Sequence, residues 1–363
     1  MAMRIAFVYD AAYPFVKGGG EKRIYEIARR LAKRHEVEWI TLKWWNAGSR
    51  IEQDGIEYVG VGEWKELYKN NRRRISEALY FALKVIPSLL GDYDVVDCTA
   101  FPYFSCFSSR VCSVLKGNRL FVTWHEVWDD YWYDYLGRKG FFGKVVEGVV
   151  AKIKAKHIAV SKLTADMLEK KGCKAEIIPN GVDLELIESI EASEEYDLIF
   201  AGRLIKEKGA DVFIRLCKEL RRRFDFDFKA ALIGEGSMLE SLKKGEWIDL
   251  VEDSVDLLPF VDEERFYSLL KGAKLFVLPS RREGFGISAL EAIACNTPVL
   301  TIDHEMNACK ELAEMYGFVA RNFDEMVEFT RSVLSGDWEA EKPDLSEYDW
   351  KNITRKLERM YLG

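Results

Sequence analysis

The sequence predicts an α/β protein with two domains, each built on a parallel β-sheet covered by helices. The chain has 363 residues, which is enough for about two hydrophobic cores. Short apolar strand patterns alternate with helical patterns in both halves, as is typical of parallel sheets with helices on both faces. A turn at Pro179-Asn180-Gly181 precedes the acidic, weakly patterned residues 185–195, so we place a domain boundary near residue 181.

The first half begins with a strand, a glycine-rich loop and a helix. The predicted strands of this half are residues 4–9, 37–42, 56–61, 94–97, 120–124 and 157–160. The loop after the first strand contains Gly18, Gly19 and Gly20, and three glycines permit positive φ angles and expose backbone N–H groups to an anion. A strand-to-helix turn without a ligand is an equal alternative.

The second half repeats the alternation. Its predicted strands and helices are strands 197–201, 229–233, a short one near Leu257 and 275–278, and helices 210–222, one from Ser237 and 263–270. A loop and a further helical pattern follow the last strand and end near Asn296.

Two glutamates in this last stretch indicate a ligand site. Glu283 lies in the loop beside Gly284 and Gly286, where backbone N–H groups at a helix N-terminus suit phosphate oxygens or hydroxyls. Glu291 falls within the apolar stripe of the helix, where a carboxylate needs hydrogen-bond donors or cations. The alternative is structural: Glu283 favours the helix N-terminus, and Glu291 finds an internal Arg or Lys.

Cations and a further glycine turn occupy equivalent loops. Arg203 and Lys208 follow the strand at 197–201. The planar guanidinium of Arg203 and the compact ammonium of Lys208 together suit a diphosphate. A basic surface loop is the alternative. Gly234 follows the next strand and precedes a helix, which is consistent with ligand contact where the strand order reverses.

A histidine stands at the end of a strand in the first half. His125 follows the apolar residues 120–124, at the carboxyl end where open parallel sheets place ligands. Its imidazole could donate to a sugar hydroxyl or a phosphate, or it could be satisfied by a backbone carbonyl. The aromatic residues at 128–135 suit carbohydrate contact, although the edge of a core explains most of them better.

Composition restricts the class of protein. The net charge of −7 is unevenly divided, because residues 1–180 carry 29 Lys and Arg against 22 Asp and Glu, whereas residues 181–363 carry 24 against 38. Overall acidity argues against nucleic-acid binding, and a basic first half suits an anionic substrate, a lipid surface or solvated helix faces. Seven scattered cysteines without a CxxC pattern predict reduced packing residues. The lack of a signal peptide and of long apolar runs predicts a cytoplasmic protein.

Two stretches of the first half combine apolar and basic residues at helical spacing. Residues 141–156 place Phe, Val and Ile opposite lysines, and three arginines at 72–74 precede the apolar residues 79–90. Such patterns predict core-facing helices with a solvated basic side. Peripheral contact with the inner face of a membrane is the alternative.

The motifs, in their order along nearly the whole chain, resemble those of a known enzyme family. They are GGGE (18–21), AVSKLT (159–164), IPNGVD (178–183), AGRLIKEKGAD (201–211), IGEGSMLESL (233–242), FVDEE (260–264) and VLPSRREGFGISALEAIACNTPV (277–299). The family is the GT-B glycosyltransferases of retaining family 4, the glycogen-synthase-like sugar-nucleotide transferases. The resemblance implies two Rossmann-like domains whose parallel sheets face across a cleft. Residues 1–180 would serve the acceptor and residues 181–345 the donor, with a terminal helix at 346–363 packing back on the first domain.

The resemblance also implies roles for individual residues. Arg203 and Lys208 match the cations that bind the donor diphosphate. Glu283 matches the acid that binds the hydroxyls of the donor sugar, and Glu291 matches the acid that binds the ribose. Glu283, His125, Arg203 and Lys208 are therefore the predicted catalytic residues. The further predicted substrate-binding residues are Gly19 and Gly20 facing the phosphates, Phe260 and Val261 near the nucleobase, and Gly234, Gly284, Phe285 and Gly286.

Two departures from the family pattern stand out. Asn296 replaces the usual glycine before Thr-Pro-Val, and residues 304–311 replace a glycine-rich stretch followed by Glu. The expected function is transfer of a sugar from a UDP- or GDP-linked donor to a lipid-linked or other glycan acceptor, with retention and with neither metal nor cofactor. A nucleotide-sugar epimerase on a related fold and a non-catalytic sugar-nucleotide binding protein are the alternatives.

Overall fold

The structure is a computed structural model that describes residues 2–63, 67–69, 72–224, 227–242 and 255–363. The chain forms two compact units, each with its own β-sheet. Unit 1 consists of Met1–Asn180 and Trp350–Gly363, and unit 2 consists of Gly181–Asp349.

Unit 1 contains an eight-stranded sheet with the strand order β10-β9-β8-β7-β1-β2-β4-β3. The strands of unit 1 are β1 Arg4–Val8, β2 Glu36–Thr41, β3 Arg50–Gln53, β4 Ile56–Gly60, the small hairpin β5 Tyr68–Lys69 and β6 Arg72–Arg73, β7 Val95–Thr99, β8 Arg119–Trp124, β9 Lys156–Ala159 and β10 Ala175–Ile177. All pairings in the large sheet are parallel except β3 with β4. The edge strand β3 is the exception, because Asp54 and Gly55 adopt positive φ angles and form a tight hairpin between β3 and β4.

Helices cover both faces of this sheet. They are α1 Gly19–Leu31, α2 Ile75–Lys84, α3 Ile86–Leu89, α4 Phe104–Lys116, α5 Tyr131–Leu136, α6 Gly140–Ala151 and α7 Lys162–Lys170. Alternate residues of β1 enter different cores: Ala6 and Val8 pack in the core beneath α2, α4 and α6, whereas Ile5 and Phe7 pack in the core beneath α1. This period of two is the signature of a strand buried on both faces.

Unit 2 contains a six-stranded parallel sheet with the order β13-β12-β11-β14-β16-β18. The strands of unit 2 are β11 Leu198–Ala201, β12 Ala230–Ile233, β13 Val255–Leu258, β14 Leu275–Leu278, β15 Arg282–Glu283, β16 Val299–Ile302, β17 Met306–Asn307 and β18 Gly317–Ala320. The short β15 and β17 pair with each other outside the main sheet. The chain runs from β11 to β12 and β13 on one side and then returns to β14 on the other, so the strand order reverses between β11 and β14.

The described helices of unit 2 are α8 Leu184–Ser189, α9 Ala210–Phe224, α10 Leu239–Leu242, α11 Glu263–Gly272, α12 Ile287–Ala294, α13 Cys309–Met315 and α14 Phe323–Leu334. Helix α8 lies in the stretch that lacked a predicted pattern. It forms because the side chain of Asp183 accepts a hydrogen bond from the N–H of Leu186 at 3.2 Å, which caps the first turn.

The carboxyl-terminal helix α15, Trp350–Leu362, belongs to unit 1. Its residues Trp350, Ile353, Leu357 and Tyr361 are buried in the core beneath α1. The hydroxyl of Tyr361 donates a hydrogen bond to the buried carboxylate of Asp97 in β7. The helix expected over residues 346–363 therefore begins at Trp350.

All seven cysteines lie within the described residues and are buried free thiols. Among the helices that the structure describes, none combines the length and apolar character that a membrane span requires.

Candidate active site

The carboxyl edge of the unit 2 sheet gathers the loops that follow β11, β12 and β14. The N–H of Gly202, just after β11, donates to the carbonyl of Ile233 at 3.0 Å. The Ser288 hydroxyl, in the first turn of α12, donates to the carbonyl of Ala201 at 3.4 Å. This edge is the point at which the strand order reverses, where open α/β sheets bind ligands.

Lys208 and Glu283 form an ion pair at this edge. Lys208 ends a short 3₁₀ turn, and the N–H of Arg281 donates to the carbonyl of Glu207 at 2.8 Å, which ties this turn to the loop after β14. The two side chains are only 16% and 13% exposed. The structure thus brings together two predicted site residues that are 75 positions apart in the chain.

Gly209 allows the two loops to approach closely. It has a φ of +75°, and a Cβ at this position would lie 2.5 Å from the carbonyl oxygen of Pro279. Any other residue would push the turn that carries Lys208 away from the loop that carries Glu283.

The backbone of Glu283 is held by a parallel pairing with Asn307, a residue that sequence reasoning missed. The carbonyl of Glu283 accepts from the N–H of Ala308 at 2.9 Å. The buried Asn307 amide donates to Thr301 Oγ1 and to the Ile302 carbonyl, both at 2.9 Å, and its oxygen accepts from the N–H of Cys309 at 3.1 Å. The sequence offered one indication of the role of Asn307, because residues 304–311 depart from the family pattern.

Glu291 lies in a different environment from Glu283. It is buried on α12, and it accepts a hydrogen bond from the hydroxyl of Tyr267 on α11 at 3.0 Å. The sequence suggested an internal Arg or Lys as the structural partner, whereas this contact comes from a tyrosine.

The predicted glycines of unit 2 have identifiable backbone roles. Gly234 has a φ of +145°, and a Cβ there would lie 1.9 Å from the carbonyl oxygen of Gly202. Gly286 caps α12 with a φ of +95°, and a Cβ there would lie 3.2 Å from the sulfur of Cys309. Only glycine fits these two positions, so the loops can approach one another at the edge of the sheet.

Cys309 lies beneath Glu283 and is not a candidate nucleophile. Burial, with a smaller contribution from the charge of Glu283, raises the pKa of its thiol. Its thiol is therefore uncharged at neutral pH.

The other predicted residues of unit 2 surround this edge. Arg203 is exposed in the loop after β11, and Gly284 is half-buried beside Glu283. Phe285 is buried, with its ring centroid 6.3 Å from that of Tyr348. After β13, Phe260 is 39% exposed and Val261 is half-buried.

Gly19 and Gly20 are the first residues of α1 in unit 1. The positive φ angles that three glycines permit are not adopted here, since Gly18 is extended with a φ of −170° and neither Gly19 nor Gly20 is in the left-handed region. A Cβ at Gly20 would make a tight contact with His125, at 3.3 Å from its Nε2, and glycine avoids this contact. The structure therefore brings these two predicted residues together.

His125 is held as a neutral imidazole. Burial, and to a lesser degree the positive charge of Arg23, lower the pKa of His125 to about 3. Its Nε2 is inaccessible to solvent and has no hydrogen-bond partner within the described part of the chain. The structural alternative, in which a backbone carbonyl accepts a hydrogen bond from His125, is therefore not found at Nε2.

Arg23 is a second residue that sequence reasoning missed. It is buried on α1, and its guanidinium donates to the carbonyl of Pro179 at 2.5 Å and to the side-chain oxygen of Asn180 at 3.1 Å. It thereby links α1 to Pro179 and Asn180 at the end of the first stretch of unit 1. An arginine on the apolar face of the helix was the signal for it.

The aromatic stretch after His125 is mainly the edge of a core. Trp128 and Trp132 are buried, and their rings lie tilted against each other with centroids 4.6 Å apart. The buried carboxylate of Glu147 accepts from the N–H of Trp128 at 2.8 Å and from the indole of Trp132 at 3.2 Å. This arrangement favours the structural interpretation over a carbohydrate platform for these two residues.

Across the described residues, no group of three or more His, Cys, Asp or Glu side chains is arranged to hold a metal ion.

Parallel sheets with polar groups at the carboxyl edge define an α/β protein of the class in which ligands bind where the strand order reverses. Two family models identify the family: Glycosyltransferase Family 4 matches residues 17–186, and Glycosyl transferases group 1 matches residues 184–344. The chain belongs to the group 1, family 4 glycosyltransferases.

Individual relatives agree with this family. An uncharacterized glycosyltransferase of Methanocaldococcus jannaschii is 30% identical over 178 residues, which cover 46% of this chain and 45% of that protein. The matching stretches span less than half the length of the curated relatives.

Solved structures match over nearly the whole chain. Sucrose-phosphate synthase from Thermosynechococcus elongatus has a TM-score of 0.76 at 15% identity, covering 99% of this chain and 98% of that chain. Anabaena Alr3699/HepE in complex with UDP-glucose has a TM-score of 0.72 at 17% identity, covering 99% of both. These likenesses confirm the predicted α/β fold of the GT-B type.

Proposed function

We propose that the protein is a retaining glycosyltransferase that moves a sugar from a UDP- or GDP-linked donor to an acceptor hydroxyl without a metal ion. The observation that carries this proposal is the half-buried pair of Lys208 and Glu283 at the edge where the strand order of unit 2 reverses. A cation beside an acid at such an edge can bind a diphosphate and a sugar together. The UDP-glucose complex of the Anabaena neighbour supports a nucleotide-sugar donor.

Lys208 and Glu283 would exchange partners when the donor binds. The ammonium of Lys208 and the guanidinium of Arg203 would bind the diphosphate. The sugar hydroxyls would donate hydrogen bonds to the carboxylate of Glu283. Glu291 would accept from the ribose, and the backbone at Phe260 and Val261 would border the nucleobase. The charges of Lys208 and Glu283, which are partly shielded from water, then keep a partner in both states, which avoids the cost of an unpaired shielded charge.

The chemical step breaks the bond between the anomeric carbon and the leaving phosphate and forms a bond to the acceptor oxygen. The acceptor proton passes to a departing phosphate oxygen, so no separate base is needed. The transition state has oxocarbenium character, and the leaving diphosphate gains negative charge that Arg203 and Lys208 stabilise. Because these cations already supply positive charge, a metal ion is not required.

Unit 1 would serve the acceptor, which we propose to be a lipid-linked or other glycan. The neutral imidazole of His125 has one N–H donor for a sugar hydroxyl or phosphate and cannot act as a cationic acid near pH 7. Gly20 leaves room beside this ring. We also propose peripheral contact with a membrane, because unit 1 contains the basic half of the chain.

A donor panel tests the proposal. The protein is incubated with UDP- and GDP-sugars in EDTA, with and without lipid and glycan extracts, and the released nucleoside diphosphate is measured. We expect release with one base, stimulated by an extract and unaffected by EDTA. An isomerised sugar nucleotide without an acceptor would indicate an epimerase, binding without turnover would indicate a binding protein, and either result would overturn the proposal.

A further inference from the structure

Helices α2, α4 and α6 form one face of unit 1. The Ser108 hydroxyl of α4 donates to the carbonyl of Ala82 in α2 at 2.5 Å. Tyr103, which precedes α4, donates to the carboxylate of Glu147 in α6 at 2.8 Å. The inner sides of all three helices pack in one core against the same face of the sheet. We call their outer surface the three-helix face.

The three-helix face concentrates the exposed apolar side chains. Of the 16 large hydrophobic residues that are exposed in the described part of the chain, ten lie on these three helices. They are Ile75, Leu79 and Leu83 on α2, Val111, Val114 and Leu115 on α4, and Phe141, Phe142, Val145 and Val149 on α6. Leu115 and Phe142 are each 70% exposed. Apolar side chains gathered on one face are typical of an interaction site, because soluble proteins rarely expose large apolar patches without a use for them.

The charges of these helices have one sign at the surface. Their only acidic residues are Glu77 on α2 and Glu147 on α6, and both carboxylates are fully buried. Exposed lysines stand at the end of α2, at the end of α4 and just after α6. They are Lys84, Lys116, Lys152 and Lys154.

The exposed acids Asp92 and Asp130 border these helices and pair with Lys116 at 2.7 Å and with Lys144 at 2.6 Å. An apolar surface whose own helices expose cations and no acids matches an anionic bilayer. Its side chains can enter the headgroup region while the lysines meet lipid phosphates. A second copy of the chain is a poorer partner, because two such faces would bring like charges together. We propose that the three-helix face docks unit 1 onto an anionic phospholipid membrane.

Helix α4 distinguishes this proposal from the expectation drawn from sequence. The two basic amphipathic stretches that the sequence indicated correspond to α2 and α6, which are far apart in the chain. Helix α4 lies between them and contains no acidic residue. The proposal deepens the proposed membrane contact and does not depend on the identity of the donor.

Vesicle flotation tests the docking. Full-length protein is mixed with phosphatidylcholine vesicles, with and without phosphatidylglycerol, and the bound fraction is measured. We expect binding only to the anionic vesicles. Leu115→Ser and Phe142→Ser should each weaken that binding about tenfold or more, because each removes a buried apolar side chain from the interface. Lys152→Glu combined with Lys154→Glu should weaken it similarly, and added salt should lower it further.

Matched controls lie outside the three-helix face. Leu362→Ser changes a side chain on α15 that is 53% exposed, and Lys33→Glu reverses an exposed charge after α1. Both should bind vesicles as the unsubstituted protein does. Full binding by Leu115→Ser, equal binding to neutral vesicles, or face variants that change only the oligomeric state in sedimentation velocity would overturn the proposal. Nucleotide release in vesicle-free buffer should be unchanged in every variant, so the failure of docking and the failure of the transferase assignment are distinguishable.

Discussion

Lys208 shows how much one residue depends on its partner. In the structure its charge meets Glu283, and both side chains are largely shielded from water. Removing either one leaves a shielded charge without its counterion, which destabilises the loops that hold the pair. A single substitution therefore mixes a structural effect with a functional one.

We expect Lys208→Ala to lower kcat/KM for the donor by about 100-fold or more, because a preorganised charge at the leaving group is lost. Lys206→Ala is the matched control, since Lys206 is exposed in the same short turn. Its kinetics should be unchanged. Both variants are compared by measuring the rate of nucleoside diphosphate release against donor concentration.

The double variant Lys208→Ala with Glu283→Ala separates the two effects. It removes both charges and should recover part of the stability that Lys208→Ala loses, while its activity stays low. Recovery of activity together with stability would show that the pair is only structural.

Gly20 of α1 lies against the ring of His125, and its substitution tests the role of that histidine. Gly20→Ala should raise the stability of α1 slightly, by up to about 1 kcal/mol, because alanine favours a helix. Its methyl group would nevertheless press on the His125 ring from 3.3 Å, so kcat/KM should fall. Thermal unfolding and steady-state kinetics measure these opposite effects.

Gly148 provides the matched control for Gly20. It lies inside α6, and a Cβ there would meet nothing within 4 Å. Gly148→Ala should add stability and leave the rate unchanged. If Gly20→Ala also left the rate unchanged, His125 would have no role in the reaction.

Asn296 explains one departure from the family pattern. It follows α12 with a φ of +65°, in the left-handed region where glycine is favoured and asparagine is the best tolerated substitute. The sequence revealed the departure, but the reason for it lies in the backbone.

At the scale of elements, the pairing of β15 with β17 positions Glu283. Asn307→Ala would remove three buried hydrogen bonds and should destabilise unit 2 by about 2–4 kcal/mol. It should also lower kcat/KM, because the strand beside Glu283 loses its anchor. Urea unfolding and donor kinetics measured at a temperature where the variant is folded test both effects.

Asn322 is the matched control for Asn307. Its side chain caps α14 by accepting from the N–H of Glu325 at 2.9 Å. Asn322→Ala should cost about 1 kcal/mol and leave the kinetics of the folded enzyme unchanged. An equal kinetic loss in both variants would show that general destabilisation, and not the position of Glu283, limits the rate.

The inner side of α2 contains a pH-sensitive group. Glu77 is fully buried, and burial, followed by the negative charge of Asp10, raises the pKa of Glu77 to about 8. Arg73 forms ion pairs with both acids, which partly opposes the shift. Because this folded-state pKa lies above the unfolded value, the stabilisation is complete below about pH 4 and is lost as the pH rises through about 8.

Glu77→Gln tests this assignment. The wild-type free energy of unfolding should fall by at least about 2 kcal/mol more than that of the variant between about pH 5 and about pH 9. Glutamine has nearly the same shape as glutamic acid and has no proton to lose. Parallel pH profiles for the two proteins would contradict the raised pKa.

Regular elements were easier to predict than short ones. The strand at Leu275–Leu278 was predicted to the residue, and the other predicted strands shifted by only one or two positions, because their apolar runs are buried on both faces. The two-residue strands β15 and β17 show no periodicity that a sequence can reveal. The antiparallel β3 was signalled by Asp54-Gly55, a turn pair that was not recognised.

At the scale of the whole molecule, the sequence identified the residue types of the candidate site but not their contacts. Lys208, Glu283, Gly20 and His125 were predicted one by one from loops at strand ends. Which of them touch depends on the closeness of loops far apart in the chain, and this closeness is set by backbone geometry at residues such as Gly209. Arg23 and Asn307 were missed because their partners are mainly backbone groups, which a sequence does not distinguish.

The most direct test is the structure of the protein crystallised with its sugar nucleotide. We predict diphosphate density at the carboxyl edge between β11 and β14, with phosphate oxygens within hydrogen-bond distance of Lys208 and sugar hydroxyls within reach of Glu283. Density at another place in the chain, with the ion pair of Lys208 and Glu283 unchanged, would contradict the assignment of this edge as the donor site.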